Sequence, residues 1–334
     1  RVTDQEVQRT PTATLAYSLV GDRLHLVERE IERACNSEIA LVRRHSEYVV
    51  QAGGKRLRPA MVLLCTKICG YMGDDDVKLG AVIEFIHTAT LVHDDIVDGA
   101  EVRRGQEAAN QVWGNQLAVL LGDYIYMRSL AMSVELGSLR LVEILTEATS
   151  RLLEGEILDV SSNGNVELTD KDYLETIDRK TASLFAAAGQ ASAILADATP
   201  EYEQALASYG SNIGMAFQII DDLLDYSADP ARFGKKVGAD LREGKMTLPA
   251  IYLLRDGEKA AQEHFLGCFG DPELSDDDLN AVVMAVRACG ALDASYMAAA
   301  EYAHLAEASL EELEDSLSKQ ALVELPGFVL SRQM

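Results

Sequence analysis

Two acidic pentapeptides constrain this chain of 334 residues more than any other feature: Asp94-Asp95-Ile96-Val97-Asp98 and Asp221-Asp222-Leu223-Leu224-Asp225. Both read D-D-x-x-D, and each follows a helix-compatible apolar run, residues 82–92 and 212–220. On a helix, positions i and i+4 share a face, which pairs Asp94 with Asp98 and Asp221 with Asp225. Like charges at that spacing weaken an isolated helix by about 0.2–0.5 kcal/mol per pair. Two such pairs call for a counter-charge. A hard divalent cation suits them, since Mg²⁺ takes carboxylate oxygens and shares its shell with substrate phosphates.

An acidic run more often marks a solvated helix face. Asp74-Asp75-Asp76 and Asp276-Asp277-Asp278 read that way, as loop or helix-start acids without partners. The pentads differ because the runs before them are too apolar for a surface helix, so each sits at the mouth end of a buried helix.

The net charge of −24 argues against a nucleic-acid surface, which needs basic patches, and gives little attraction to an anionic membrane. Hydrophobic content of 48% is that of a globular chain. Cys65 and Cys69 lie one helical turn apart, but no further Cys or His pair is near them in sequence, which argues against zinc there. The five cysteines read as reduced, buried thiols of a cytoplasmic protein. No run of 18 uninterrupted apolar residues and no signal-peptide core is present.

Alternating β-branched runs are scarce, so the chain reads as all-α, a single domain over 1–334 with residues 1–20 an arm or first helix. Helical periodicity runs from Asp22 to Val50, and a long apolar helix is expected from Asn110 to Val134. Lys55, Arg56 and Arg58 precede an apolar helix opened by Pro59, where free N–H groups and the positive dipole end favour an anion; a solvated basic turn is the alternative. His87 and Thr90 lie seven and four residues before Asp94, on its face. Arg103-Arg104-Gly105 follows the first pentad and could either neutralise it or grip a phosphate held by its metals. Lys180-Thr181 is a further cation–hydroxyl pair. Gln218, Asp221, Asp222 and Asp225 form one polar stripe on an apolar helix, and Lys235 and Lys245 lie in the Gly-rich loop beyond it. Carboxylates for metals, cations for phosphates and apolar walls together describe a site for a greasy molecule with a diphosphate head.

Across residues 25–255 the chain resembles the trans-isoprenyl (polyprenyl) diphosphate synthases. The ordered motifs are GGKRLRP, HTATLVHDDIVD, RRG, GDY, KT, FQIIDDLLD and GKKVGADLREGKMTLP. The resemblance implies a bundle of long helices around a deep central cavity, the isoprenoid synthase fold, as a homodimer. It also implies head-to-tail condensation of isopentenyl diphosphate with an allylic diphosphate such as farnesyl or geranylgeranyl diphosphate. By motif, Asp94 and Asp98 would bind two Mg²⁺ ions with Asp95 in support. Asp221 would hold a third, with Asp222 and Asp225 ordering its water shell. Arg103, Lys180, Lys235 and Lys245 would grip the allylic diphosphate, and Lys55, Arg58, His87 and Arg104 would bind isopentenyl diphosphate. Thr181 and Gln218 would flank the nascent cation. The C-terminus ends Leu330-Ser331-Arg332-Gln333-Met334, less basic than is usual in the family.

Product length is read from the helix above Asp94. Short-chain relatives carry a bulky aromatic at the level of Ala89 or Thr90; here Ala89 leaves the passage open past Phe85, Ile86 and Val82, and a deeper floor is expected near the level of Phe85 or Met127. This favours a medium-to-long, octaprenyl-like quinone side chain, with membrane contact at most peripheral, for product release. The rivals are a geranylgeranyl or farnesyl diphosphate synthase, a terpene cyclase and an inactive partner subunit. Ala89 opposes the first, the two basic grips the second, and the intact pentads the third.

Overall fold

The computed structural model of the chain describes residues 14–51, 54, 56–103, 105–227 and 238–331. Helices dominate it. The first three are α1 (Thr14–Ala34), α2 (Ala40–Gln51) and α3 (Leu57–Ile68), followed by α4 (Asp75–Val97), which carries the first pentad. A short ribbon of β1 (Val102–Arg103) and β2 (Gln106–Glu107) is the only strand pairing among the described residues. Then come α5 (Ala109–Trp113), α6 (Asn115–Glu135), α7 (Leu139–Ser162) and α8 (Asp170–Ile177). A π-helical turn, Asp178–Ala182, joins α8 to α9 (Ser183–Leu195), and α10 (Pro200–Ser227) carries the second pentad. The chain closes with α11 (Ala239–Glu243), α12 (Leu248–Asp256), α13 (Lys259–Cys268), α14 (Asp276–Ala288), α15 (Ala291–Ala308) and α16 (Leu317–Leu330).

Local chemistry sets these boundaries. Thr169 and Asp172 form a reciprocal capping box that starts α8. Ser138, Ser275 and Ser316 cap α7, α14 and α16. Two breaks were not expected. The periodic stretch Asp22–Val50 splits at Asn36-Ser37, where the Ser37 hydroxyl accepts the Ile39 N–H at 3.2 Å. The Asn110–Val134 helix breaks at Gly114, whose φ of 79° is open to glycine.

One hydrophobic core runs from Ala16 to Val329. Helix α4 packs against α1, α3, α6 and α9, while α10 packs against α9, α15 and the π turn. The contacts of α9 with α10 are close because they are made across glycine: a Cβ on Gly189 or Gly210 would lie 2.1 or 2.2 Å from a carbonyl oxygen of the facing helix. The two pentad helices thus share α9 as a wall, and Lys245, beyond the second pentad, reaches Asp98 of the first.

Acid runs outside the pentads do have partners. Asp74-Asp75-Asp76 does open α4, with Asp74 and Asp75 exposed, but Arg23 bridges Asp74 and the buried Asp76, so the run is not without partners. The cysteines are all free thiols, but Cys69 and Cys289 are only half-buried. Helix α6 is long and apolar enough by composition to cross a membrane. Its inner face is in the core, and Leu120, Met127 and Val134, 63%, 56% and 60% exposed, form a stripe on its outer face.

Candidate active site

Helix α4 ends at the first pentad. The Asp98 N–H donates to the Asp94 carbonyl at 2.8 Å, so the two carboxylates leave the same final turn. Asp95 points elsewhere: it is 3% exposed and paired with Arg103, whose Nε lies 2.7 Å from Oδ1. Asn110 fastens the same turn through the Asp95 carbonyl at 3.1 Å. Asp95 and Arg103 therefore anchor the ribbon to the last turn of α4, with the Arg103 charge still close enough to pull the Asp94 carboxyl down.

Lys180 projects from the π turn, a helix irregularity frequent at functional sites. Its Nζ lies 2.7 Å from Asp159 and 2.8 Å from Glu156, both on α7. That contact exists because α7 presents Gly155 to the π turn. A Cβ there would lie 2.3 Å from the Lys180 backbone nitrogen. Lys245 makes the second bridge, 2.9 Å to Asp98 and 2.8 Å to Glu243. It joins the segment after the second pentad to the end of the first.

The second pentad divides its labour. Asp225 accepts the Ala239 and Asp240 N–H groups at 3.1 and 3.0 Å, capping α11. Asp222 accepts the hydroxyl of buried Tyr173 at 2.5 Å and the Gln218 amide at 2.7 Å. Gln218 in turn accepts the Thr181 hydroxyl at 2.7 Å. Thr181, Gln218, Asp222 and Tyr173 are thus one hydrogen-bonded chain across α8–α10.

Carboxylates outnumber the cations among these described groups, and their titration registers it. Burial, then Glu156, pushes the Asp94 carboxyl up to about 7. Burial likewise pushes Asp222 up to about 7, against the pull of Tyr173 and Gln218. Glu156 and Asp240 are also raised, first by burial. Lys180 and Lys245 are held above the usual lysine range by the acids around them, which outweigh their burial. Such a cluster of hard oxygen donors short of positive charge fits divalent cations of the Mg²⁺ class.

Arg58 enters from α3, its guanidinium 4.2 Å from the centre of the Phe185 ring and 5.9 Å from that of Phe217. Its neighbour Arg56 turns away, with Nε 2.5 Å from Glu28 and Nη1 2.6 Å from the buried Glu84. The basic turn is thus part buried ion-pair node. The Thr90 hydroxyl, on the His87 face, bonds the His87 carbonyl at 2.8 Å. Lys55, Arg104, Lys235 and Arg332 lie outside the described residues.

Deeper along α4 a space of about 190 Å³ is lined by Val82, Ile86, Tyr126, Ser129, Leu130, Ser133, Leu145, Thr146 and Thr149. Its serine and threonine hydroxyls bond carbonyls of their own helices, Ser129 and Ser133 at 2.6 and 2.7 Å, Thr146 and Thr149 at 2.8 and 2.7 Å. Their bonding capacity is turned inward, which leaves a wall suited to hydrocarbon. Ala89 shares the Val82–Ile86 face of α4 and is buried. Phe85 is buried but is not in this wall, and Met127 lies on the outer face of α6. A larger open space of about 470 Å³ lies behind α4, beside Tyr48, Thr88, Leu91, Asp95 and Arg103.

Sequence reasoning did not single out Glu156, Asp159, Tyr173 or Asp240. The available signal was Gly155 beside two acids at i, i+3 spacing, Glu156 and Asp159.

Comparison with known proteins agrees with this arrangement. The polyprenyl synthetase family model matches residues 39–286. The chain is 42% identical to octaprenyl diphosphate synthase of Escherichia coli (strain K12), covering 92% of this chain and 94% of that protein. It is 39% identical to the Haemophilus influenzae octaprenyl diphosphate synthase over 94% and 95% of the two chains. A crystal structure of polyprenyl synthase from Caulobacter crescentus CB15, complexed with calcium and isoprenyl diphosphate, superposes with a TM-score of 0.93 at 37% identity, covering 98% of this chain and 100% of that one. With the family model matching residues 39–286 and relatives 39–42% identical across more than nine-tenths of both chains, this chain belongs to the polyprenyl synthetase family.

Proposed function

We propose that the protein is a long-chain trans-polyprenyl diphosphate synthase that condenses isopentenyl diphosphate with an allylic diphosphate, farnesyl or geranylgeranyl diphosphate, to an octaprenyl-like product. The observation that carries this is the convergence of both pentads on one lysine-bridged acidic cluster, Lys245 on Asp98 and Lys180 beside Asp94, above an apolar cavity. The names of relatives at 39–42% identity support the chain length.

In this reading Asp94, Asp98 and Asp221 hold Mg²⁺, three ions per site, with Asp95, Asp222 and Asp225 in support. Bound Mg²⁺ neutralises the departing diphosphate. Arg103, Lys180, Lys235 and Lys245 bind the allylic diphosphate, with Lys180 and Lys245 exchanging carboxylates for phosphate oxygens. Arg58 and His87, with Lys55 and Arg104, bind isopentenyl diphosphate. The allylic C–O bond breaks and the double bond of isopentenyl diphosphate supplies the electron pair for the new C–C bond. The released diphosphate takes the proton. Thr181 and Gln218 present oxygens beside the developing cation, and the apolar wall excludes water from it.

The test is Mg²⁺-dependent consumption of isopentenyl diphosphate by the wild type and by Asp94→Asn and Asp221→Asn. Each substitution should lower kcat/KM by about 10²-fold or more with the far-ultraviolet spectrum unchanged; wild-type turnover in either would remove the metal assignment.

The reading includes a homodimer and a single-domain chain in the cytoplasm. The stripe Leu120, Met127 and Val134 on α6 has heptad spacing and supports helix pairing between copies. Sedimentation at two masses per particle would agree; a monomer would refute it. Unpaired cysteines support a reducing compartment.

A further inference from the structure

A second cluster of metal-ligating side chains lies on α13 and α14, outside the pentads. His264 and Cys268 sit at i and i+4 on α13, so both project from one face. Asp278 comes from the first turn of α14. The Cys268 Sγ lies 3.8 Å from His264 Nε2, which is 3.8 Å from Asp278 Oδ1, and all three donor atoms fall within 4.8 Å of one another. We propose that His264, Cys268 and Asp278 form a binding site for one transition-metal cation of the zinc class, which fastens α13 to α14.

The donor set differs in kind from the mouth of the active site. A thiolate and an imidazole select zinc-class ions over Mg²⁺, and three protein ligands leave a fourth position to water. In a tetrahedral zinc site with ordinary bond lengths, donor atoms stand roughly 3.4–3.6 Å apart. Two of the three separations here are already within a few tenths of an ångström of that. The third closes by rotation of the half-exposed Asp278 side chain. The carboxylate is held from behind: the Ser275 hydroxyl donates to its Oδ2 at 2.7 Å and leaves Oδ1 toward His264. Cys268 is buried, and the half-exposed His264 and Asp278 give the ion its approach from solvent. On binding, the Cys268 S–H gives its proton to solvent and an S–metal bond forms; no electrons change hands.

The clamp would act beyond its own helices. The α13–α14 connection donates the Gly270 N–H to the Leu241 carbonyl of α11 at 2.9 Å. Helix α11 is the one capped by Asp225 of the second pentad. Fixing α13 on α14 therefore stiffens the support of that pentad's last carboxylate.

Cobalt(II) is the probe, because a thiolate ligand gives it a charge-transfer absorption that oxygen ligands do not. The full chain, stripped of metal by chelator, is titrated with Co²⁺ in the presence of excess Mg²⁺. The expected result is about one Co²⁺ per chain with the thiolate band, abolished in Cys268→Ser, weakened at least tenfold in affinity in His264→Ala, and retained in Asp94→Asn. The half-exposed His264 makes its variant a test that does not depend on refilling the core. Absence of the band in the wild type, or its survival in Cys268→Ser, would overturn the assignment.

Discussion

Removing a single hydroxyl should change the metal requirement of the whole enzyme. Tyr173 is buried, and its hydroxyl donates to Asp222 at 2.5 Å. Burial pushes the Asp222 carboxyl up to about 7, while Tyr173 and then Gln218 pull it down. In Tyr173→Phe the ionised carboxylate loses a hydrogen bond worth about 1.5–3 kcal/mol, as such bonds to charged groups are. At 1.36 kcal/mol per pH unit this moves the carboxyl upward by about 1–2 pH units. Near neutrality Asp222 is then mostly protonated, and a proton must leave before it can order the water shell of a cation at Asp221. The half-saturating Mg²⁺ concentration at pH 7 should rise about tenfold or more, and return toward the wild-type value near pH 9. Elongation rate against Mg²⁺ concentration, taken at several pH values for both proteins, reads this directly. Superimposable Mg²⁺ curves at pH 7 would refute the reasoning, because the hydroxyl would then not set the charge of Asp222.

Three further outcomes follow from the same geometry. Ala89 lies five residues before Asp94, about 7.5 Å along α4, so an aromatic ring there stands short of the space at Val82 and Ile86, and Ala89→Phe should shorten the product; an unchanged product distribution would sink the floor argument. In Gly155→Ala the new Cβ meets the Lys180 backbone at 2.3 Å, so α7 must move off the π turn. The cost is about 1–3 kcal/mol, seen as a melting temperature lower by several degrees and a raised KM for the allylic diphosphate; a wild-type melt and KM would show that the close approach is not needed. Asp94 and Asp222 are raised to about 7 in the folded chain, against about 3.9 unfolded. The folded state therefore binds more protons between about pH 4 and 7, and its stability falls as pH rises through that window. In chelator the protein should melt lower at about pH 8 than at about pH 6, with Mg²⁺ restoring more at pH 8; the reverse order would contradict the burial of these charges.

The pentads were legible because their chemistry is local: i, i+4 acids after runs too apolar for a surface. What lay beyond depended on distant partners. Arg56 reads as one cation of a phosphate grip until Glu28 and Glu84, from α1 and α4, close on it. Asp74 and Asp76 look solvated until Arg23 reaches them. Glu156 and Asp159 join the site only through the approach of α7 to the π turn, an irregularity that no spacing rule announces. Along α4 the helical period separates neighbours too finely: Ile86 lines the cavity while adjacent Phe85 packs behind it, and Met127 falls outside altogether. The wall opposite Ile86 is instead Tyr126, Ser129 and Leu130. Its serines read as polar until their bonds to their own helix are seen.

The central claim is that the lysine-bridged acidic mouth drives chain growth into an open hydrocarbon path. Purified protein given Mg²⁺, farnesyl diphosphate and labelled isopentenyl diphosphate, with the dephosphorylated products sized, tests it most directly. Eight isoprene units extend about 40 Å, more than the roughly 34 Å of α4, so the finished chain must bend or leave the cavity. The account predicts a ladder of intermediates ending at about eight units. Termination at geranylgeraniol would contradict the open path, and no incorporation would contradict the synthase itself.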